Sequence, residues 1–335
     1  MRSIVYGENG PASVLRLIER EPDEPGEGEV RVHVVVSGVN PTDWKSRAGS
    51  TRTTRQETVP NQDGAGVIDA VGPGVGGFQV GDRVWTSMSA HANPMSGTAQ
   101  ELTVLPESRV HPLPEGASFD VGASLGVPAL TAHRALTVTE GWPARLTPGS
   151  LAGATVLVAG GAGAVGHAAI QLASWAGATV ISTVSSAEKA RLATAAGARH
   201  VLNYRDADIV DQVRAIAPDG VDTVVEVAAV SNAELDTAVL ARGGTIAIYA
   251  SDPGDQFTLD VRAYMGLNAR LQFVLLYTVP PAALEAGVQD VVAAIDALPV
   301  GEAAGLPLHR FPLERTADAH DAVESGVIGK VLIDV

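Results

Sequence analysis

The chain has 335 residues, of which 46% are hydrophobic and 18% are charged, and its formal net charge is −15. This length allows two domains, and the apolar fraction is ample for a hydrophobic core. So negative a surface repels nucleic acid, and the Lys and Arg residues are scattered rather than clustered. The absence of cysteine excludes disulfides, thiolate nucleophiles and cysteine-ligated zinc.

No targeting or membrane signal is visible. The first residues, MRSIVYGENG, lack an apolar core of signal-peptide length. No uninterrupted apolar stretch reaches the roughly 18 residues of a membrane-spanning helix, because His167 and Gln171 break the glycine-rich segment. We therefore expect a soluble, cytoplasmic protein.

The first 120 residues or so are typical of a β-rich domain. Valines alternate with other residues through the segment 29–39, which predicts a strand with one buried face. A second strand is predicted over 64–72, and a glycine-bearing turn then leads to a third at 83–85. Frequent Pro and Gly residues between these segments favour a small barrel or sandwich.

From about Phe119 the pattern changes to alternating strands and helices, beginning with a helical segment at 129–136. Such alternation predicts an α/β fold, a doubly wound parallel sheet with right-handed crossovers. The predicted strands are 155–159, 179–184, 199–203, 222–227, 244–249 and 271–276, and the predicted helices lie near 164–176, 187–196, 207–217 and 232–240.

The tail holds two further predicted helices, near 282–297 and 314–325, and a terminal strand at 330–335. A β-rich domain, then a doubly wound domain, then such a tail is an unusual order. It suggests that the tail rejoins the first domain and that the active cleft lies between the two domains.

A glycine motif follows the first strand of the alternating region. Gly161, Gly163 and Gly166 have G-x-G-x-x-G spacing between a β-branched strand and an amphipathic helix, which is the context of a dinucleotide site. Glycines let the backbone approach a pyrophosphate, and the helix N-terminus supplies free N–H groups. The alternative is a tight turn without a ligand. The predicted cofactor-binding residues of this turn are Gly161, Ala162, Gly163, Ala164, Val165 and Gly166.

The residues after the second strand of this region indicate which dinucleotide binds. NAD sites usually have an acidic residue there to bind the ribose 2′-OH. Here the first carboxylate is Glu188, whereas Ser185, Ser186 and Lys189 offer hydroxyl donors and a cation for a 2′-phosphate. We therefore predict NADPH rather than NADH. The alternative for Lys189 is a solvated helix residue that does not contact the cofactor.

Together these segments resemble the zinc-free, zeta-crystallin-like quinone oxidoreductases of the medium-chain dehydrogenase/reductase superfamily. The resemblance covers nearly the whole chain and depends on an ordered set of segments. These are GVNPTDWKSRAG (38–49), DGAGVIDAVG (63–72), GDRVWTS (81–87), GVPALTAHRAL (126–136), VLVAGGAGAVG (156–166), VLNYRDAD (201–208), VVEVAAVSN (224–232), ARGGTIAIYAS (241–251) and GKVLIDV (329–335).

The resemblance implies a GroES-like β domain at 1–122 and a Rossmann domain for NADPH at 123–265. Residues 266–335 then complete the Rossmann sheet and return to the catalytic domain. It also implies a homodimer or homotetramer, formed through an edge strand such as 271–276.

Several site residues are implied by the resemblance alone. Asn40 and Thr131 match residues beside the nicotinamide, Tyr204 matches one at the adenosine phosphate end, and Lys330 is assigned to the cofactor as well. Asn40 could instead stabilise a turn before a proline. The hydroxyl of Thr131 could instead be buried and hydrogen-bonded to the backbone of its own helix. Asp43 is interpreted as the cap of a helix that begins at Trp44 rather than as a catalytic acid.

We predict no metal site. Zinc-dependent relatives carry a catalytic cysteine and a Gly-His-Glu motif, and here Asn61-Gln62-Asp63 stands in its place. His91, His133 and His167 are interpreted as surface or packing residues. Alcohol oxidation needs a metal or base to deprotonate the alcohol, so reduction of an electrophilic acceptor is favoured.

The acceptor is the open question. Relatives have a tyrosine five residues after the motif asparagine, where this chain has Lys45, which could donate to the acceptor carbonyl or face solvent. The predicted catalytic set is therefore Asn40, Lys45 and Thr131. The leading function is an NADPH-dependent quinone reductase that transfers hydride or single electrons. Alternatives are an NADPH-dependent reductase of enals, enones or enoyl thioesters, or a non-enzymatic NADPH- or RNA-binding protein, as some relatives bind RNA.

Overall fold

The computed structural model describes residues 1–50, 56–251, 256, 258–301 and 304–335. The chain divides into two compact units. The first unit comprises residues 1–127 and 307–335, and the second comprises residues 128–306. The first boundary falls inside a helix, at Val127, whereas the sequence placed it after residue 122. Among the described residues, no helix is long and apolar enough to cross a membrane.

The first unit is built around one long strand, β3 (Glu29–Val39), which pairs antiparallel with three others. Valines at alternate positions of β3, such as Val30, Val32 and Val34, are buried, because successive side chains of a strand face opposite sides. The other strands of this unit are β1 (Arg2–Val5), β2 (Arg16–Glu19), β4 (Asp63–Val71), β5 (Arg83–Thr86), β6 (Leu102–Pro106), β7 (Val110–Pro112), β14 (Leu308–Pro312) and β15 (Lys330–Asp334).

The end of the chain belongs to the sheet of the first unit. The main path of the sheet runs β14-β15-β3-β4-β5-β7, and β6 pairs with β3 outside this path. Strand β15 is parallel to β14 and antiparallel to β3, with Leu332 opposite Gly38. The helices of this unit are α1 (Pro41–Ala48), α2 (Ser89–Ala92), the first part of α3 (Phe119–Leu136) and α10 (Thr316–Glu324).

The second unit contains an all-parallel sheet. Its strands are β8 (Thr155–Ala159), β9 (Thr179–Val184), β10 (His200–Asn203), β11 (Val221–Glu226), β12 (Leu240–Ile248) and β13 (Arg270–Phe273). They lie in the order β10-β9-β8-β11-β12-β13, which reverses between β8 and β11. Ligands of such sheets bind outside the carboxyl ends of the strands at that point.

Helices alternate with these strands, as the sequence predicts. Buried apolar residues such as Leu157, Val224 and Ile246 form the core between them. The helices are α4 (Ala164–Trp175), α5 (Ala187–Ala195), α6 (Ile209–Ile216), α7 (Ala229–Val239), α8 (Val261–Leu267) and α9 (Pro281–Ala293). The strand predicted at 271–276 is short, because the chain turns into a 3₁₀ segment at Leu276–Thr278.

Helix α3 begins ten residues earlier than the sequence indicates, since the prediction began at 129 and the helix begins at Phe119. Two glycines and Pro128 weaken the helical signal there. A Cβ at Gly122 would lie 2.8 Å from Cβ of Ala65, so this glycine allows α3 to pack closely on β4. Packing therefore decides the helix boundary against local propensity.

The turn between β8 and α4 depends on glycines that have no room for a side chain. Gly160 has a positive φ of 69°, which glycine adopts readily. A Cβ at Gly166 would lie 2.5 Å from the carbonyl oxygen of Gly160, and one at Gly161 would lie 2.1 Å from Oγ of Ser182. These two glycines therefore set the close approach of α4 to the sheet.

A buried pair of carboxyl groups joins β11 to α7. Glu226, the last residue of β11, accepts hydrogen bonds from the N–H of Ala228 and from Nδ2 of Asn232. Asp236 lies on α7 and is also buried. Burial, followed by the charge of Glu226 and their hydrogen bond, raises the pKa of Asp236 to about 9. The pair therefore shares a proton at neutral pH, because two adjacent buried carboxylates would repel each other.

Replacing Gly166 by Ala should destabilise the protein, because the added methyl meets the backbone oxygen of Gly160. We expect a loss of about 1–3 kcal/mol in the free energy of unfolding, measured by urea denaturation. Gly266 is the matched control, since it lies inside α8 and a Cβ placed there would have no atom within 4 Å. Gly266→Ala should stabilise by about 0.5–1 kcal/mol. Equal effects of the two changes would contradict this explanation.

Replacing Asp236 by Asn should weaken the dependence of stability on pH. The folded protein keeps the Asp236 proton up to about pH 9, whereas the unfolded chain releases it near the ordinary pKa of 3.8. The free energy of unfolding therefore falls as pH rises between these values. The amide of Asn can still donate to Glu226 but has no proton to lose.

The measurement is urea denaturation at several values between about pH 5 and about pH 9. The Asp236→Asn variant should lose less stability over this range than the wild type. Glu234→Gln, an exposed change on the same helix, should follow the wild type. Parallel curves for all three proteins would show that Asp236 does not titrate as described.

Candidate functional site

The glycine turn places the N-terminus of α4 at the carboxyl edge of the parallel sheet. Gly163 is the N-cap of α4, and a Cβ there would have only the carbonyl oxygen of Gly160 nearby, at 3.5 Å. The first N–H groups of a helix have no acceptor within the helix, and they carry the positive end of its dipole. The backbone at Gly163 to Gly166 is therefore suited to an anion.

The three motif glycines thus have different tasks. The sequence attributes the approach of a pyrophosphate to all of them. In the structure, Gly161 packs against Ser182 and Gly166 packs against Gly160. Only Gly163, of these three, has space beside it for a ligand. Ala162, Ala164 and Val165 complete the turn and the first residues of α4.

The chain leaves the next strand, β9, with polar residues at the same edge. Ser185 follows β9, and Ser186 is the N-cap of α5, where its hydroxyl accepts the N–H of Lys189 at 3.3 Å. Lys189 is therefore in the first turn of α5 and is partly exposed. Hydroxyl groups and an ammonium group at one strand end can bind a phosphate.

Tyr204 lies beside these residues because β10 is the neighbour of β9 in the sheet. Its N–H donates to the carbonyl oxygen of Val184 at 3.1 Å, one residue before Ser185. Tyr204 is 44% exposed, so it is accessible at this edge of the sheet. The structure therefore places Ser185, Ser186, Lys189 and Tyr204 at the neighbouring ends of β9 and β10, and their contact with a cofactor stays a prediction.

A pocket of about 420 Å³ opens at the carboxyl ends of β12 and β13. Its walls are mainly apolar, and Ile248, Tyr249 and Phe273 are among them. Planar rings bind in pockets of this kind. The sequence does not predict this pocket, because its walls come from chain segments that are distant from one another along the chain.

In the first unit, Asn40 and Lys330 belong to one buried polar cluster. Asn40 is the N-cap of α1, and its Nδ2 donates to Oδ2 of Asp63 at 2.7 Å. Its Oδ1 accepts from Nζ of Lys330, also at 2.7 Å. Nζ of Lys330 lies 3.6 Å from Oδ2 of Asp63. Burial lowers the pKa of Lys330, and the charges of Asp63 and Asp43 oppose this shift.

Asp63 is a site residue that sequence reasoning missed. In the sequence it stands out only as the residue that replaces the Glu of a zinc motif. Asn40 lies 23 residues from Asp63 and 290 residues from Lys330, so no local pattern reveals their contact. The one available signal is the acidic side chain itself, which comes directly before the apolar and glycine residues 64–68.

The interpretation of Asp43 needs a correction. Helix α1 begins at Pro41 rather than at Trp44, and its N-cap is Asn40. Asp43 is the third helical residue, and its carboxyl group accepts the N–H of Asn40 at 2.7 Å. Burial, together with the charge of Asp63, raises the pKa of Asp43 to about 8. Asp43 therefore fixes the N-cap backbone from inside the helix.

Two further predicted residues lie on helices of different units. Lys45 is on α1 in the first unit, partly buried, with its Nζ 5.8 Å from the centre of the Trp44 ring, a distance compatible with a cation–π contact. Thr131 is on α3 in the second unit and is buried.

The histidines singled out in the sequence contact protein groups or face solvent. Nε2 of His133 lies 2.8 Å from Oδ2 of Asp290, and Nε2 of His167 lies 2.8 Å from the carbonyl oxygen of Ala304. His91 is exposed on α2. Across the part of the chain that the structure describes, no three His, Asp or Glu side chains are close enough to hold a metal ion.

Two family models match this chain. The alcohol dehydrogenase GroES-like domain matches residues 26–115, and the zinc-binding dehydrogenase domain matches residues 164–293. The first unit is therefore a GroES-like domain, and the second carries a Rossmann-type parallel sheet.

Known proteins are similar over the whole length. The quinone oxidoreductase of Lama guanicoe is 32% identical over 99% of this chain and 97% of its own. Among solved structures, a mycobacterial protein complexed with NADPH is 29% identical, with a TM-score of 0.83 and full coverage of both chains. The quinone oxidoreductase of Escherichia coli, also complexed with NADPH, is 25% identical, with a TM-score of 0.82 and full coverage. The chain therefore belongs to the quinone oxidoreductase family of the medium-chain dehydrogenase/reductase superfamily.

Proposed function

We propose that this protein is an NADPH-dependent quinone reductase. The observation that carries the proposal is the polar group at the end of β9, where Ser185, Ser186 and Lys189 follow the strand beside the exposed Tyr204. The names of the relatives support the same conclusion, since one is a quinone oxidoreductase complexed with NADPH.

The choice of NADPH over NADH follows from charge. A carboxylate at the end of β9 would bind a ribose 2′-OH and repel a 2′-phosphate. Here Ser185 and Ser186 are neutral, and Lys189 carries a positive charge. Because a Lys side chain offers three N–H donors to phosphate oxygens, this set favours the phosphorylated nucleotide.

The rest of the cofactor would contact residues that the fold already orients. Gly163 and the first N–H groups of α4 would hold the pyrophosphate. The apolar pocket near Ile248 and Tyr249 offers a surface for a planar ring. Asn40 and Thr131 remain proposed residues of the nicotinamide end, and Lys330 belongs to it through its bond to Asn40.

The reaction that we propose is a reduction by hydride or by single electrons. With hydride transfer, bound NADPH would supply the hydride, and a proton from solvent would complete the hydroquinone. The residues of this chain need to orient the acceptor, exclude water and donate to the oxygen on which charge develops. We propose Lys45 as that donor, since its ammonium group offers three N–H bonds.

Reduction of activated alkenes is the second candidate. It is favoured by Lys45 itself, which replaces the tyrosine expected in quinone reductases of this family. An ammonium group can polarise the carbonyl oxygen of an enone as well as that of a quinone.

The acceptor is tested by following NADPH oxidation with a quinone and with an enone of similar size. We expect kcat/KM for the quinone to exceed that for the enone by at least about tenfold, about 1.4 kcal/mol of preferential transition-state stabilisation. A preference for the enone would identify an alkene reductase. If neither acceptor oxidises NADPH, the proposed function is wrong.

The cofactor preference is tested by Lys189→Ala. Loss of one charged contact to a phosphate should lower kcat/KM for NADPH by roughly tenfold and leave the low activity with NADH unchanged. Arg191→Ala is the control, because Arg191 is an exposed cation on the same helix, α5. Equal losses with both cofactors, or an equal effect of the control, would contradict a 2′-phosphate contact at Lys189.

A further inference from the structure

We propose that Asp63 and Lys330 are positioning residues for Asn40, because together they fix the orientation of its side-chain amide. The inference rests on the proposed function, which assigns Asn40 to the nicotinamide end of the cofactor. Its new content is the role of Asp63 and the indirect role of Lys330, whose Nζ bonds Asn40 inside the protein.

The orientation of the amide follows from the hydrogen-bonding character of its two neighbours. The oxygen and nitrogen of an Asn side chain are nearly the same in size, so shape alone does not distinguish them. The Lys330 ammonium group can only donate, and the Asp63 carboxylate can only accept. Oδ1 of Asn40 must therefore face Lys330, and Nδ2 must face Asp63. The reversed amide would set donor against donor and acceptor against acceptor.

The backbone of Asn40 is held as firmly as its side chain. Its N–H donates to the carboxyl group of Asp43, and its carbonyl oxygen accepts the N–H of Asp43. An Asn side chain has two N–H donors and one carbonyl oxygen. One N–H of Asn40 is bound to Asp63, and its oxygen already accepts from Lys330. The Asn40 side chain therefore keeps one N–H and one oxygen lone pair for a ligand, each in a fixed direction.

Two glycines allow the backbone to lie close to Asp63 and Lys330. A Cβ at Gly126 would lie 2.1 Å from Oδ1 of Asp63, and a Cβ at Gly38 would lie 3.1 Å from Cε of Lys330. Oδ1 of Asp63 also accepts the N–H of Val127 at 2.8 Å. Both Asp63 oxygens are thus bound, and a side chain at either glycine would displace Asp63 or Lys330. Asn40 is therefore oriented before a ligand binds.

Charge balance explains why both partners are needed. Asp63 and Lys330 are fully buried, so each compensates the charge of the other. Asp43, whose pKa is raised to about 8, is the third ionisable group of the cluster and is mainly neutral at pH 7. Neutralising Asp63 would leave the ammonium group without a counter-charge and allow the Asn40 amide to rotate.

The test uses Asp63→Asn in the full-length protein, with calorimetric dissociation constants for two ligands. NADPH contains the nicotinamide, whereas adenosine 2′,5′-bisphosphate lacks it. We expect the variant to bind NADPH roughly tenfold more weakly, because one oriented hydrogen bond is lost. It should bind the bisphosphate as the wild type does. Glu8→Gln, which neutralises an exposed carboxylate of the same unit, should change neither constant.

Repeating the Asp63→Asn change in a variant that lacks the Asn40 amide distinguishes a positioning role of Asp63 from a merely structural one. In Asn40→Ala, Asp63→Asn should change the NADPH dissociation constant less than about twofold, because the amide that it orients is gone. Lys330→Met keeps the length of the side chain, removes the ammonium group, and should reproduce the selective loss of NADPH binding if Asp63→Asn does not fold.

The outcomes separate the two proposals. If the wild type does not bind NADPH, the proposed function fails. If the wild type binds NADPH and the folded variants bind it equally well, only the positioning role fails. Equal weakening for both ligands, or the same weakening in the Asn40→Ala background, would also overturn the positioning role.

Discussion

The close approach of α4 to the end of β8 is the constraint on which the second unit depends. Gly160 and Gly166 meet at a distance that a methyl group would not allow. This contact holds the N-terminus of α4 at the carboxyl edge of the sheet, where β9 and β10 also end. Backbone packing therefore places the glycine turn, Lys189 and Tyr204 at the same edge of the sheet.

The two units stabilise buried carboxyl groups in different ways. In the first unit, burial raises the pKa of Asp63, and the ammonium group of Lys330 together with the N–H groups of Asn40 and Val127 opposes this shift. In the second unit, Glu226 and Asp236 have no buried cation between them, as far as the described residues extend, and they share a proton instead. The first arrangement fixes a donor and acceptor pattern, whereas the second links the packing of a helix to pH.

Local patterns are sufficient to predict the elements between 155 and 203, because a β-branched strand, a glycine turn and an amphipathic helix follow one another in the chain. The positions of Ser185, Ser186 and Lys189 after β9 can be predicted for the same reason. The start of α3 cannot be predicted in this way, because Gly122 and Gly126 make contacts with strands that are distant in the sequence. Asp63 is missed because its partners come from the two ends of the chain, a relationship that one sequence does not display.

The terminal strand has a consequence for how the protein is made. Strand β15 lies between β14 and β3, and the N–H of Val335, the last residue, bonds to the carbonyl oxygen of Val35. The ribosome therefore makes the whole second unit before β15 can complete the sheet of the first, and the end of β3 that pairs with β15, residues 36–39, lacks this partner until then. A nascent chain that stalls before β15 would expose that segment of β3 and lack Lys330, so the Asn40 amide is oriented only once β15 has been made.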